Sequence, residues 1–445
     1  MRDRSKKPTR PIKEIKSEYF NISDNNALYL AIRKDGQIGS GTYLNPYNAN
    51  TQQLFDSYIS GAKAGKTIYL SSGTFKTHGY KQRTTNGSYV KSGWKLIGQG
   101  IDKTIIKLVE AKAYGGPYWC FGTDYDQFAH NTTWKDFTLD CNLDGQIDKT
   151  GICIGGIALG GNHISYNNIK VINWGTRSLG LECFVLAAGG TNVINHDNLT
   201  GAKIENCIVT NPAPNINIET SSLIFCGGAE DYTNDLSGAH INPIIRNCYC
   251  DGGSPLSSTN GVMAIGKNCL VENNYIKNVG SAFYTDTTRL ASITVRNNQF
   301  INVRVGVHFN LYDTTSTLGT GRFLNNTIEL ASDIKVSDEN AFRFLGKNAQ
   351  VQPPPPYTFS YIMVSGNKIN YYNSNYSQSG TPVYMAALYN VGTGILMDNV
   401  SSLYESDDIR FNQQIFIGSH VKSLTLKNNR SFLTNALIMG NNVQT

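Results

Sequence analysis

Short runs of alternating apolar and polar residues, broken by one or two asparagines, recur along most of this chain. The phrase reads ISYNNIKVIN at 164–173, AKIENCIVTN at 202–211, PIIRNCYCDG at 243–252 and CLVENNYIKNV at 269–279. It returns as SITVRNNQFINV (292–303), GRFLNNTIELA (321–331), YIMVSGNKINYY (361–372), ILMDNVSSL (395–403) and LTLKNNRSFLT (424–434). Steps between the asparagines run from 24 to 41 residues, the shortest from Asn273 to Asn297. A fixed unit of that length marks a repeat architecture, and longer steps are the unit with a loop inserted. Period-two alternation sends Val, Ile, Leu, Phe and Cys to one face of each short strand. Asparagine tolerates the left-handed backbone of a sharp corner, and stacked asparagines can bond amide to amide along an axis. A further strand follows each phrase: GICIGGIAL (151–159), LECFVLAA (181–188), SSLIFCGG (221–228), GVMAIG (261–266), SAFYTD (281–286), GVHFNLYD (306–313), NAFRFLG (340–346), PVYMAALYN (382–390) and QQIFIGS (413–419).

These patterns predict an all-β fold, a single-stranded right-handed parallel β-helix of ten or more coils. A sandwich would not repeat one corner residue in one frame, and leucine is too sparse for a leucine-rich repeat. Thr51 is placed to cap a short helix over residues 52–63 that Gly65 ends. Such a helix closes the end of the solenoid, whose core and strand edges need a cover. The expected organisation is a basic arm at 1–27, a cap with the first coils at 28–110, and the β-helix with its loop insertions at 111–445.

The stretch DGQIGSGTYLNPYNANTQQLFDSYISGAKAGKTIYLSSGTFKT (35–77), followed by WKLIGQG (94–100) and KTIIKL (103–108), resembles the opening segment of pectate-lyase-superfamily β-helix proteins. FTLDCNLDGQ (137–146) is similar to an early coil of bacterial and phage members. The resemblance runs from residue 36 to the C-terminus and implies the fold and a polysaccharide partner. The polygalacturonase branch would carry Asn-Thr-Asp, Asp-Asp, Gly-His-Gly and Arg-Ile-Lys on consecutive coils. This chain has Tyr284-Thr285-Asp286, a distant Asp407-Asp408, and no Gly-His-Gly. A fold does not by itself carry an activity.

Charged residues make up 16% of the chain, against about 25% in typical globular proteins. Of the net charge of +6, much resides in the start MRDRSKKPTRPIKEIK. The remainder is near neutral, which argues against nucleic acid as partner. No apolar run is long enough to cross a membrane. The basic start, interrupted by Pro8, Pro11, Lys13 and Lys16, is not expected to act as a secretory signal. The expected location is extracellular or virion-associated. Of the nine cysteines, only Cys248 and Cys250 are closely spaced, so burial within the coils is expected rather than a zinc site. Pro353 to Pro356 read as a rigid spacer between coils.

Candidate chemistry gathers around the long insert between Asn206 and Asn247, which holds Glu219, Glu230, Asp231, Asp235 and His240. The proposed stack adds Glu182 before it and Tyr284, Asp286, Arg289, His308 and Tyr312 after it. Glycoside hydrolysis needs two carboxyl groups about 5–9.5 Å apart. Elimination needs a base beside a group that neutralises a uronate, often a cation or Ca²⁺. The catalytic candidates are Glu182, Glu230, Asp231, Asp286 and His308. Asp235, His240, Tyr284, Arg289 and Tyr312 are candidates for substrate contact. DCNLDGQID (140–148) mimics part of a Ca²⁺-binding loop but lacks its last glutamate. The function expected is a carbohydrate-active protein, glycoside hydrolase or polysaccharide lyase, working in a groove along the solenoid. The alternative is a non-catalytic or weakly catalytic tailspike or adhesin recognising surface glycan, for which a homotrimer is the expected assembly.

Overall fold

In the computed structural model each full coil contributes one segment to each of three parallel sheets, as three short strands or, in coils such as that of Tyr275–Thr287, with one long strand serving two sheets. The structure describes residues 17–21, 23–81, 90–109, 116–123, 128–146, 152–175, 184–190, 199–211, 222–228, 241–287, 292–311, 319–331, 340–346, 359–372, 384–389, 391–404, 415–417, 421–430 and 438–439. The first sheet runs from Leu28–Ala31 through Thr67–Leu70 to Ser423–Lys427 and, beyond its opening strands, holds the strand before each asparagine phrase centre. The second, holding the strand after it, runs from Gly73–Thr77 to Val400–Tyr404. The third runs from Gly116–Gly122 to Ile438–Met439, and between these two end strands, which the sequence reading did not include, it is built from the additional strands read in the sequence. The architecture is therefore the all-β parallel β-helix expected from the repeat. Among the described residues no helix is long and apolar enough to cross a membrane.

Register explains why so short a repeat suffices. Val262, Phe283, Val307 and Phe342 are Cα partners on four successive coils, and each is fully buried. Like stacks on like at about 4.8 Å per coil, so one inward position per strand is enough to continue the core. Glu272 pairs with Arg296, which places the 24-residue step seen between Asn273 and Asn297 at one turn of the solenoid.

The paired asparagines divide their work. The first of each pair takes the left-handed corner, with φ between 55° and 56° at Asn273, Asn297 and Asn325, as does Asn247, which Cys248 follows, at φ 55°. Gly366 and Asp398 fill that position in later coils, at φ 67° and 55°. The second asparagine turns inward and forms the ladder. Asn274, Asn298, Asn326, Asn367, Asn399 and Asn429 are linked in that order. Each Nδ2–H donates at 2.9–3.0 Å to the Oδ1 of the next. Cys207 and Cys248 occupy the same position in the two coils before the ladder begins, and the Cys248 N–H donates to Asn274 Oδ1 at 2.9 Å. All eight described cysteines are buried and unbridged, as the sequence reading expected, and Cys183 lies outside the described residues. Burial pushes the Cys207 thiol well above its ordinary pKa, with Cys248 adding to the effect.

The cap helix α1 (Gln52–Gly61) begins at Thr51, whose Oγ1 accepts from the Leu54 N–H at 3.3 Å. Phe55 and Ile59 are buried, and Phe55 meets Phe75 at 5.3 Å. Asp56 ties the helix to the second sheet by accepting from Thr77 Oγ1 at 2.7 Å and the His78 N–H at 3.0 Å. The helix ends earlier than expected. Ala62 is its C-cap, and Gly65, at φ 75°, serves the turn into the first sheet instead.

An ion-pair ladder runs beside the corners on the outer face of the first sheet. Arg246 pairs with Glu205 at 2.5 Å, and Arg296 pairs with Glu272 at 2.6 Å. Arg246 reaches Glu272 at 3.9 Å, joining the pairs. The arginine side chains are 44% and 45% exposed, so each pair is worth little alone. Glu272→Gln is expected to destabilise by roughly 1 kcal/mol, because it leaves two guanidinium groups facing each other. Urea unfolding should show that loss shrinking in 1 M salt as the repulsion is screened; a loss independent of salt would refute the ladder.

Candidate functional site

On the third sheet the outward positions form a continuous row across coils. Register places Ala187, Phe225, Met263, Tyr284, His308 and Arg343 in succession. The early part of the row is apolar and covered: Ala158, Ala187 and Phe225 are buried in a cluster with Trp119 and Tyr80, outside the main core. Over the three coils of Tyr284, His308 and Arg343 the row is polar and half-buried, and at Ala387 it is apolar and buried again. Alternation sets this up locally. Phe283 and Thr285, Val307 and Phe309, and Phe342 and Phe344 are fully buried and flank Tyr284, His308 and Arg343. The sequence alone left open whether Phe283 or Tyr284 points outward; Tyr284 does.

Tyr284 and His308 are in direct contact, edge to face, with ring centroids 5.1 Å apart and planes at 88°. Asn310, two residues after His308 and only 5% exposed, donates from Nδ2 to the Tyr284 Oη at 3.4 Å. Its Oδ1 is buried and accepts from no donor among the described residues. Asp286 is the Cα partner of Asn310, so its backbone lies beside this group. Arg343 is the Cα partner of His308 on the next coil. A phenol, an imidazole, an amide and a guanidinium thus lie on adjacent strands. An imidazole accepts or donates one proton, a phenol donates one, and a guanidinium holds a carboxylate in its fork.

Two of the candidates, Tyr284 and His308, are brought together. Asp286 belongs to the same strand, although its side chain is outside the description. Glu182, Glu230, Asp231, Asp235, His240, Arg289 and Tyr312 lie outside the described residues, as do Glu219 and Pro353 to Pro356. Sequence reasoning missed Arg343 and Asn310. A signal for the first was present: Ala282-Phe283-Tyr284-Thr285, Gly306-Val307-His308-Phe309 and Ala341-Phe342-Arg343-Phe344 share one pattern of small, bulky, polar and buried residues.

The carboxylate of Asp140, in the segment that mimics a Ca²⁺ loop, has other duties. Its Oδ1 accepts from the Asn142 N–H at 2.9 Å and from Asn173 Nδ2 at 2.7 Å, while Oδ2 lies 3.4 Å from Lys107 Nζ. Among the described residues no three His, Cys, Asp or Glu side chains converge as metal ligands would.

Solved structures with the same course of chain are known. The A-module of the mannuronan C-5 epimerase AlgE4 from Azotobacter vinelandii superposes with a TM-score of 0.53 and 14% identity, over 93% of this chain and 100% of that one. PfbA, a surface adhesin of Streptococcus pneumoniae, gives 0.55 and 15%, over 92% and 93%. The tailspike of Escherichia coli bacteriophage HK620, solved with a hexasaccharide, gives 0.51 and 11%, over 93% and 80%. No protein-family model and no curated protein sequence matches the chain. At these identities the likeness shows the fold alone, a right-handed parallel β-helix.

Proposed function

We propose that this protein binds a polysaccharide across the polar row of the third sheet and cleaves it there by elimination. The observation that carries the reading is the contact of Tyr284 with His308, with Arg343 on the next rung. Elimination needs a base to take the proton beside a uronate carboxyl group, a donor for the leaving oxygen, and a positive charge to hold the carboxylate. His308, Tyr284 and Arg343 fit those three roles in that order. Proton removal forms the new double bond as the glycosidic C–O bond breaks, and the phenol protonates the departing oxygen. Hydrolysis would instead require two carboxyl groups, drawn from Asp286 and from Glu182, Glu230 or Asp231. The structural neighbours support a carbohydrate partner: one is named for an enzyme of mannuronan and another was solved with a hexasaccharide. An extracellular or virion-associated setting follows from such a partner.

The test is turnover of a panel of acidic and neutral polysaccharides, read both as reducing ends and as ultraviolet absorbance of unsaturated uronates. Elimination gives both signals from the same substrate. Reducing ends without absorbance would replace this reading with hydrolysis and move attention to the carboxylates. Binding without either signal would leave a glycan-recognising spike or adhesin, the function suggested by likeness to PfbA.

A further inference from the structure

A separate cavity of about 140 Å³ opens at the N-terminal end of the solenoid. Its walls include Phe20, Asn21, Tyr69, Ile97, Gln99 and Lys103. Tyr69 and Ile97 are Cα partners on the second and third rungs of the first sheet, after Leu28–Ala31, at outward, half-buried positions. From there to the rung that precedes Tyr284 is six steps, roughly 29 Å at about 4.8 Å per step. The two places are therefore on different sheets and far apart.

The walls are held in place without a ligand. Tyr69 stacks on Tyr29 with centroids 5.0 Å apart and planes at 15°. Tyr29 in turn packs edge-on against Phe20 at 4.9 Å. Gln99 Nε2 donates to the Tyr19 carbonyl at 2.6 Å, pinning the segment that carries Phe20 and Asn21. A cavity assembled in advance binds more tightly, because its side chains lose little freedom when the ligand enters. Lys103 is exposed and forms no ion pair among the described residues, so its ammonium is available at the rim.

We propose that this cavity is a second saccharide site, taking one sugar unit that bears an acidic group. The volume is well below the roughly 300 Å³ at which drug-sized pockets begin, which limits the occupant to a single ring. Tyr69 and Ile97 offer an apolar wall for the C–H face of that ring. The amides of Asn21 and Gln99 are suited to its hydroxyls, and Lys103 to its carboxylate or sulfate. One polymer held here and on the third sheet would gain affinity from the linkage alone. The saccharide class rests on the proposed function; the location rests on the cavity.

Methyl NMR of the full chain, with the Ile97 resonance assigned through Ile97→Val, tests it. The probes are glucuronate, galacturonate, glucose, galactose and inorganic phosphate. Saturable shifts at Ile97 are expected with the uronates, weaker ones with the neutral sugars, and none with phosphate. Lys103→Glu should weaken uronate binding at least tenfold, and Ile97→Trp, which fills the cavity and removes that methyl reporter, should abolish binding as read by titration calorimetry. Neither should alter kcat or the binding of a short oligosaccharide at Tyr284 and His308, whereas both should raise KM for a polymer long enough to span the two places. Absence of an Ile97 shift with every sugar, an equal shift with phosphate, or an unchanged response in Lys103→Glu would each overturn the proposal. Failure of the third-sheet function is read separately, through variants of His308 and Tyr284 that leave the Ile97 signal intact.

Discussion

Replacing His308 by Gln should lower turnover of the cleaved polysaccharide by about 10²- to 10⁴-fold, the usual contribution of a positioned base. The unfolding midpoint should move little, because His308 lies in the outward row and the buried layer beneath it, Val307 and Phe309, is untouched. Tyr284→Phe is the sharper control. It keeps the ring that meets His308 edge to face and removes only the hydroxyl that accepts from Asn310. A large fall in kcat with KM nearly constant would place that hydroxyl in the transition state. Arg343→Lys keeps the charge but not the planar fork, so it should raise KM for an acidic substrate more than it lowers kcat. If His308→Gln and Tyr284→Phe both retain wild-type turnover, the third-sheet face is not the reacting centre. If neither wild type nor variant turns over any substrate while His308→Gln weakens glycan binding, the face is a recognition surface.

The solenoid was legible because each coil repeats the constraints of the one before. Its corners need a left-handed residue every turn, and Asn247, Asn273, Asn297 and Asn325 meet that need in plain sight. The two functions of the double asparagine were not separable on paper, since both residues are of one type and only backbone conformation and burial distinguish Asn297 from Asn298. Cys207 and Cys248 standing where later coils have ladder asparagines was likewise hidden, because a small buried thiol satisfies the same volume without the amide. The functional face was harder to read for a different reason. Neighbours of one row are 21 or more residues apart in sequence, and register, not proximity along the chain, makes Tyr284, His308 and Arg343 neighbours. Alternation found the outward position of His308 and left Tyr284 undecided. Acids of the long insert, Glu230, Asp231 and Asp235, follow no repeat, so nothing in the pattern fixes where they lie.

Stability should depend most steeply on the middle of the asparagine ladder. Asn298 is 1% exposed, and its side chain makes four bonds. Oδ1 accepts from the N–H and Nδ2 of Asn274, while Nδ2 donates to Val271 O and Asn326 Oδ1. Asn298→Ala strands two buried donors of Asn274, each costing about 1–3 kcal/mol, so a loss of roughly 2–6 kcal/mol is expected. Asn429→Ala removes the same two acceptor bonds from Asn399, but Asn429 is half-buried and water can replace it. Its effect should be well under half as large. Denaturant midpoints would decide: equal losses at the two rungs would mean that the amide ladder is a by-product of packing. Asn298→Asp sharpens the point, because its carboxylate keeps the acceptor but faces two oxygens, Val271 O and Asn326 Oδ1, that lose the Nδ2 donor, Asn326 Oδ1 keeping only the backbone N–H of residue 298. Such surroundings raise the folded pKa above the unfolded value of about 3.9. The unfolded chain then binds fewer protons, so stability falls as pH rises. Asn298→Asp should therefore come nearest to wild type below about pH 4, where the protonated acid can donate, and fall furthest behind near neutrality.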